Sequence, residues 1–255
     1  MLIDTHTHIY AAAFDEDREE AIKRAIAAGV LKLILPAIDS KTTAIMYEVK
    51  RNYPDHVYLM MGLHPTHVGL NLEEELAHVK KQLDAHSFVA VGEIGMDLYW
   101  DKTFQSQQQD AFARQIHWAL EADLPIVIHC RDAFDPIFEV LEGVNDDRLR
   151  GVFHCFSGTN EDAQRALSLN FYLGIGGVVT FKNGKIHRFL ADFPIEKMLL
   201  ETDSPYLAPT PHRGKRNESA YLPIVAKKMA ELFGTTSSEV ARITSKNAQK
   251  LFDLS

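Results

Sequence analysis

Residues 88–95 read Phe-Val-Ala-Val-Gly-Glu-Ile-Gly. The first five carry no charge and no polar–apolar alternation. A strand with one wet face alternates, whereas a strand covered on both faces reads as a continuous apolar run, as in a parallel sheet. LKLIL at 31–35 and PIVIH at 125–129 have the same character. Working outward from these runs, eight strands are predicted: Leu2–Thr5, Leu31–Leu35, Val57–Met61, Phe88–Gly92, Ile126–His129, Gly151–His154, Phe171–Ile175 and Met198–Leu200. Helical patterns separate them. Asp15–Ala28 carries Ala21, Ile22, Ala25 and Ile26 on one face and stops at Gly29. Leu72–Asp84 and Phe104–Ala122 behave alike, and Asp39 or Ser40 can cap a helix running through Arg51. Strand and helix alternating eight times predict an α/β fold, a single-domain, distorted (β/α)8 TIM barrel over residues 1–255. An open doubly wound sheet is the alternative. Two further helices, Leu222–Phe233 and Ser237–Leu251, follow the eighth strand, and Thr180–Lys185 and Ala208–Asn217 read as long loops.

Composition narrows the function classes. The 255 residues are 46% hydrophobic and 24% charged, so the chain can bury a sizeable core. A net charge of −8 excludes a basic nucleic-acid footprint at the level of the whole chain. It leaves room for a nucleic-acid substrate, because bound divalent cations supply positive charge at a site. The opening MLIDTHTH shows no signal peptide, and no run approaches the roughly 18 apolar residues of a membrane span. The expectation is a soluble cytoplasmic protein without membrane contact or an obligate protein partner. Cys130 and Cys155, each directly after a histidine, are expected to pack outward under the helices.

Asp4-Thr5-His6-Thr7-His8 ends the first strand. Residues i and i+2 of a strand share a face, so His6 and His8 project together and make half of a metal site. Glu93 ends the fourth predicted strand, His129 the fifth, His154 the sixth, and Asp203 follows the eighth. In a barrel these ends converge on the face where active sites are built. Imidazoles with bridging carboxylates suit Zn²⁺, Mn²⁺ or Mg²⁺, singly or as a pair. Glu93 is placed to bridge two cations about 3.5–4 Å apart. Glu201 shares the parity of Asp203 and would bind a further metal, orient a ligand, or form an ion pair in the barrel.

Taken together, LIDTHTH, VGEIGMD, IHCRDA, FHCFSG, LLETDSPYLAP and RGKRNE resemble the TatD family of metal-dependent deoxyribonucleases, and the resemblance spans essentially the whole chain. It implies a distorted TIM barrel and a DNase, commonly a 3′–5′ exonuclease on single-stranded or 3′ ends of DNA, with divalent metal ions. The family's ligands carry over to His6, His8, Glu93, His129, His154 and Asp203. Two positions depart from the pattern. Tyr10 stands where Asp or Asn is usual, expected to alter the mouth of the site, and Ser219 replaces a proline, where it can serve as a helix N-cap.

Within that reading Asp203 is both ligand and general base for a metal-activated water, with Glu93 the other catalytic carboxylate. His64 is expected to contact phosphate or fill a loop role rather than join the metal set. Arg131 shares the face of His129. Arg213, Lys215, Arg216 and Asn217 form a small basic loop after the last strand, where barrels often hold phosphate. Tyr99, Trp100, Phe104 and Tyr206 either stack on unpaired bases or close loops over the core. The competing reading is an amidohydrolase acting on a small cyclic amide, ester or lactone, since the same metals polarise a carbonyl.

Overall fold

The computed structural model describes residues 1–99, 101–144 and 146–254. Eight strands lie in sequence order: β1 (Leu2–Asp4), β2 (Val30–Leu35), β3 (Val57–Met61), β4 (Ala90–Asp97), β5 (Ile126–Arg131), β6 (Gly151–Phe153), β7 (Phe171–Ile175) and β8 (Met198–Leu200). Each pairs in parallel with the next. The sheet closes on itself just beyond β8. Thr5 N donates to Leu200 O at 3.1 Å, Asp203 N donates to His6 O at 2.9 Å, and Thr7 bridges Ser204 in parallel. The result is a (β/α)8 barrel.

Six helices lie in the crossovers: α1 (Arg18–Ala27), α2 (Thr43–Asn52), α3 (Leu72–Ala85), α4 (Gln105–Glu121), α5 (Phe134–Gly143) and α6 (Asn160–Ser168). Two more, α7 (Leu222–Phe233) and α8 (Ser237–Phe252), follow β8. Their apolar faces obey the sequence periodicity. Phe112, Ile116 and Ala119 of α4 are all buried. Thr159 and Asp162 form a capping box that starts α6.

The structure corrects the sequence reading in three places. The crossover between β7 and β8 holds no α-helix among the described residues; four short 3-10 turns between Gly177 and Lys197 take its place. Asn183, Gly184 and Pro194 interrupt any helical pattern there. Strand β4 continues to Asp97, so Glu93 sits within the strand rather than at its end. Its register against β5 shifts between Val91 and Ile94, and the Gly92–Glu93 peptide is cis. Ser219 is not a cap; its hydroxyl lies 3.2 Å from Thr7 Oγ1, and Glu218 holds the N-cap position without a side-chain cap bond.

The apolar core has two parts. One fills the space between the strands and the surrounding helices. The other is a floor inside the barrel, where Ile3, Ile34, Met60, Val127, Val152 and Leu199 meet the end of α8 through Ala248, Leu251, Phe252 and Leu254. Phe252 is 2% exposed. Phe252→Ala is expected to cost about 3–5 kcal/mol, read as a lower urea midpoint. A midpoint within error of the parent would mean that α8 does not seal this end.

Candidate metal centre

Strand alternation and the barrel's closure bring the site together. His6 and His8 follow β1 with the same parity, and Asp4, two residues before His6, accepts from Thr202 N at 2.9 Å and from Thr202 Oγ1 at 2.6 Å. Those bonds lock β1 to the segment after β8. Asp4 is therefore a structural clamp. Burial pushes its carboxyl up to about 7, against the opposing effect of the Thr202 and Ser219 hydroxyls.

His6 Nε2 lies 3.3 Å from His8 Nε2 and 3.1 Å from Glu93 Oε2. Asp203 Oδ1 lies 3.5 Å from His8 Nε2 and 3.8 Å from His154 Nε2. The second oxygen of Glu93 faces a different set. Oε1 is 2.9 Å from His129 Nδ1, 3.3 Å from His64 Nε2 and 3.6 Å from His154 Nε2. One buried carboxylate thus divides its oxygens between two groups of imidazoles. Among the described residues, three overlapping triads have ligand atoms close enough for a metal: His6–His8–Asp203, His6–Glu93–His154 and His64–Glu93–His129.

Two neighbours fix imidazole orientation. Tyr10 Oη donates its only proton to Pro36 O at 2.6 Å, so it must accept from His8 Nδ1, 2.8 Å away. That bond assigns the donor role to Nδ1 and turns His8 Nε2 to the cluster. Tyr10 is thus a buried support beneath the site rather than a feature of its mouth. Glu201, also buried, places Oε1 3.0 Å from His154 Nδ1 and accepts from Cys155 N. His154 Nε2 is then the nitrogen turned toward Glu93 and Asp203.

The donors fit a cation. Two imidazole Nε2 atoms point at one another and at carboxylates, an arrangement that one shared positive ion satisfies better than protons. Glu201 Oε2, His6 Nδ1 and His154 Nδ1 are buried without an aligned hydrogen-bond partner among the described residues, His154 Nδ1 meeting Glu201 Oε1 as a charged contact at 3.0 Å. Electrostatics agree. Burial raises the Glu93 carboxyl, but His64, His6 and His154 outweigh it and hold it well below the usual range. Asp203 is likewise lowered, burial being overcome by His154 and His8. Burial disfavours charge on His154, yet Glu201, Glu93 and Asp203 lift it to about 10. Burial pushes His64 down to about 4.

Several side chains sit where the sequence did not put them. His64 lies within the cluster, 3.2 Å from His129 Nδ1 as well as close to Glu93. Asp97 was missed; its Oδ2 is 2.9 Å from His129 Nε2. Its signal was the parity of 93, 95 and 97 along a strand read as ending too early. Asn217 is fully buried and donates to Thr202 O and Tyr206 O, both at 2.7 Å, so it supports the loop from beneath and is not a substrate contact. Arg213 is exposed with its guanidinium 3.9 Å over the Phe181 ring, outside the cavity lining. Arg216 is held by Asp17 and Glu218. Arg131 lines the cavity and stacks over Tyr99 at 3.9 Å. Trp100 lies outside the described residues. Both cysteines line this cavity of about 620 Å³, contrary to a position wholly beneath the helices, although Cys130 also packs against the outer core. Burial raises both thiols, so they stay protonated.

The family model for the TatD related DNase matches residues 3–253. The chain belongs to the TatD family. This TatD-family chain is 42% identical over 254 residues to an uncharacterized metal-dependent hydrolase, YabD, of Bacillus subtilis, covering 99% of each chain. It is 32% identical to a protein of Escherichia fergusonii named 3′-5′ ssDNA/RNA exonuclease TatD, covering 100% of each. The crystal structure of YJJV, a TatD homologue from Escherichia coli K12, superposes with a TM-score of 0.92 at 31% identity, covering 100% of this chain and 98% of that one. The TatD-family assignment makes the chain a hydrolase. No helix among its described residues is long and apolar enough to cross a membrane.

Proposed function

We propose that this chain is a metal-dependent deoxyribonuclease that hydrolyses phosphodiester bonds of DNA from 3′ ends, using two divalent cations (Mg²⁺, Mn²⁺ or Zn²⁺). His6, His8 and Asp203 would hold one, His129 and His154 the other, with Glu93 between them. The division of the Glu93 oxygens between two groups of imidazoles carries this reading. The exonuclease name of the Escherichia fergusonii relative supports the substrate class.

When bound, the cations supply an acidified water and charge on the phosphoryl oxygen. Asp203, ionised and facing His8 and His154, would accept the proton of the attacking water. Glu201 and Tyr10 hold the rings of His154 and His8 so that each presents Nε2. Arg131, at the cavity wall, meets the phosphate backbone.

Two results are expected from binding measurements. Glu201→Gln keeps an oxygen that can accept from Cys155 N but loses the charge beside His154, so metal affinity should fall about 10–100-fold with the fold intact. Titration calorimetry showing parent affinity would remove Glu201 from this role. His154 and His129 carry raised pKa values, His129 because Asp97 and Glu93 outweigh burial. At neutral pH His154 holds a proton that a cation must displace, and its protonated fraction falls as pH rises. Metal binding should therefore release about one proton and tighten with pH. Calorimetry in buffers of different ionisation enthalpy reads this directly, and equal heats in all buffers would contradict it.

The function is tested with metal-stripped protein and 3′-labelled single-stranded DNA, adding Mg²⁺, Mn²⁺ or Zn²⁺ in turn. Nucleotide release only with a cation is expected. A folded, metal-binding protein that releases nothing would overturn the reading and direct attention to cyclic amides and lactones.

A further inference from the structure

Six large apolar side chains stand exposed among the described residues: Met1, Leu31, Leu70, Tyr99, Tyr206 and Leu207. Tyr206 and Leu207, 54% and 42% exposed, are the two of these that line the cavity over the metal cluster. The Tyr206 ring centroid is 6.0 Å from that of His8. Exposed apolar residues on a floppy loop are unremarkable, but this segment is pinned. Tyr206 N donates to Asp203 O at 2.8 Å. The buried Asn217 donates to Tyr206 O at 2.7 Å, and its own N–H donates to Pro205 O at 3.0 Å. A Cβ on Gly177 would collide with Leu207 O, so that glycine lets the segment lie tight against the barrel. Leu207 itself is held at φ 52°, a conformation unfavourable for a branched side chain. Strain of this kind persists where surroundings over-determine it and concentrates at ligand clamps.

We propose that Tyr206 and Leu207 form a rigid platform on which an unpaired nucleobase next to the scissile phosphodiester stacks. The inference rests on the nuclease reading of the same site. Charge complementarity selects the occupant: phosphate belongs with the cation-binding cluster and with Arg131, three strands away around the barrel, while a flat apolar group belongs on the ring and leucine beside them. A base inside a duplex offers no free face to such a ring.

The test presents the metal-loaded protein with two substrates, a single-stranded oligonucleotide with ordinary 3′-terminal residues and one whose terminal residues are abasic. The parent protein should prefer the base-bearing end in KM, and Tyr206→Ala should reduce that preference about ten-fold. Tyr206→Phe, which keeps the ring, should retain it. The same preference is read without hydrolysis, as equilibrium binding by fluorescence anisotropy. An unchanged preference in Tyr206→Ala, or an equal loss in Tyr206→Phe, would overturn the platform. Absence of turnover with a binding preference that collapses in Tyr206→Ala would keep the platform and reject the nuclease reading.

Discussion

Asp203→Asn should abolish turnover, with kcat falling by at least about 10³-fold, while thermal stability stays close to the parent. Asp203 sits at φ 57°, a region in which Asn is as comfortable as Asp. Its backbone donates to His6 O and accepts from Tyr206 N, bonds that the substitution leaves in place. What changes is the charge and the basicity of Oδ1, which faces His6, His8 and His154. An amide cannot take the proton of the attacking water and is a weaker ligand for a hard cation. Single-turnover assays beside circular dichroism separate the chemistry from the fold. A rate near that of the parent would remove Asp203 from the role of base.

The second large effect concerns no ligand. Gly95→Ala should destabilise the protein by about 3 kcal/mol or more and lower Tm by about 6–12 °C. Gly95 lies at φ 135°, and a Cβ there would overlap His129 O and stand 3.1 Å from both His129 C and His129 N. Those are main-chain atoms of the paired strand β5, so no rotamer change relieves the clash. The strands would have to part. Glu93 and Asp97 flank Gly95 on β4, and His129 is its partner on β5, so metal affinity should fall together with Tm. Calorimetric unfolding and metal titration of the one variant check both. A Tm within about 1 °C of the parent would show that β4 and β5 can separate here without strain.

Much of this molecule was legible in the sequence. The apolar runs LKLIL and PIVIH located β2 and β5 because strands covered on both faces leave no polar interruption. His6, His8, Glu93, His129, His154 and Asp203 were brought to one place by barrel topology alone. The failures have physical causes. Gly92 and Gly95 suggest a strand end, yet β4 tolerates both because it approaches the neighbouring strand closely, and the premature end concealed Asp97. His64 was set aside because six ligands already formed a full set, a count that ignores how near the loop after β3 comes to Glu93. Asn217, within a basic run, read as part of a phosphate-holding loop; only the tertiary fold turns its amide inward to two carbonyl oxygens. The β7–β8 crossover shows that alternation of element type is a weaker guide than the breakers within a segment.

The floor of the barrel links the two ends of the chain. Ile3 of β1 is covered by side chains between Ala248 and Leu254. A ribosome emits the first of these about 250 residues before the last, at about 5–20 residues per second. Until the segment from Ala248 is made, the inward apolar side chains of this floor have no cover from α8. A product terminated before α8 would retain every metal-cluster residue and still expose that floor.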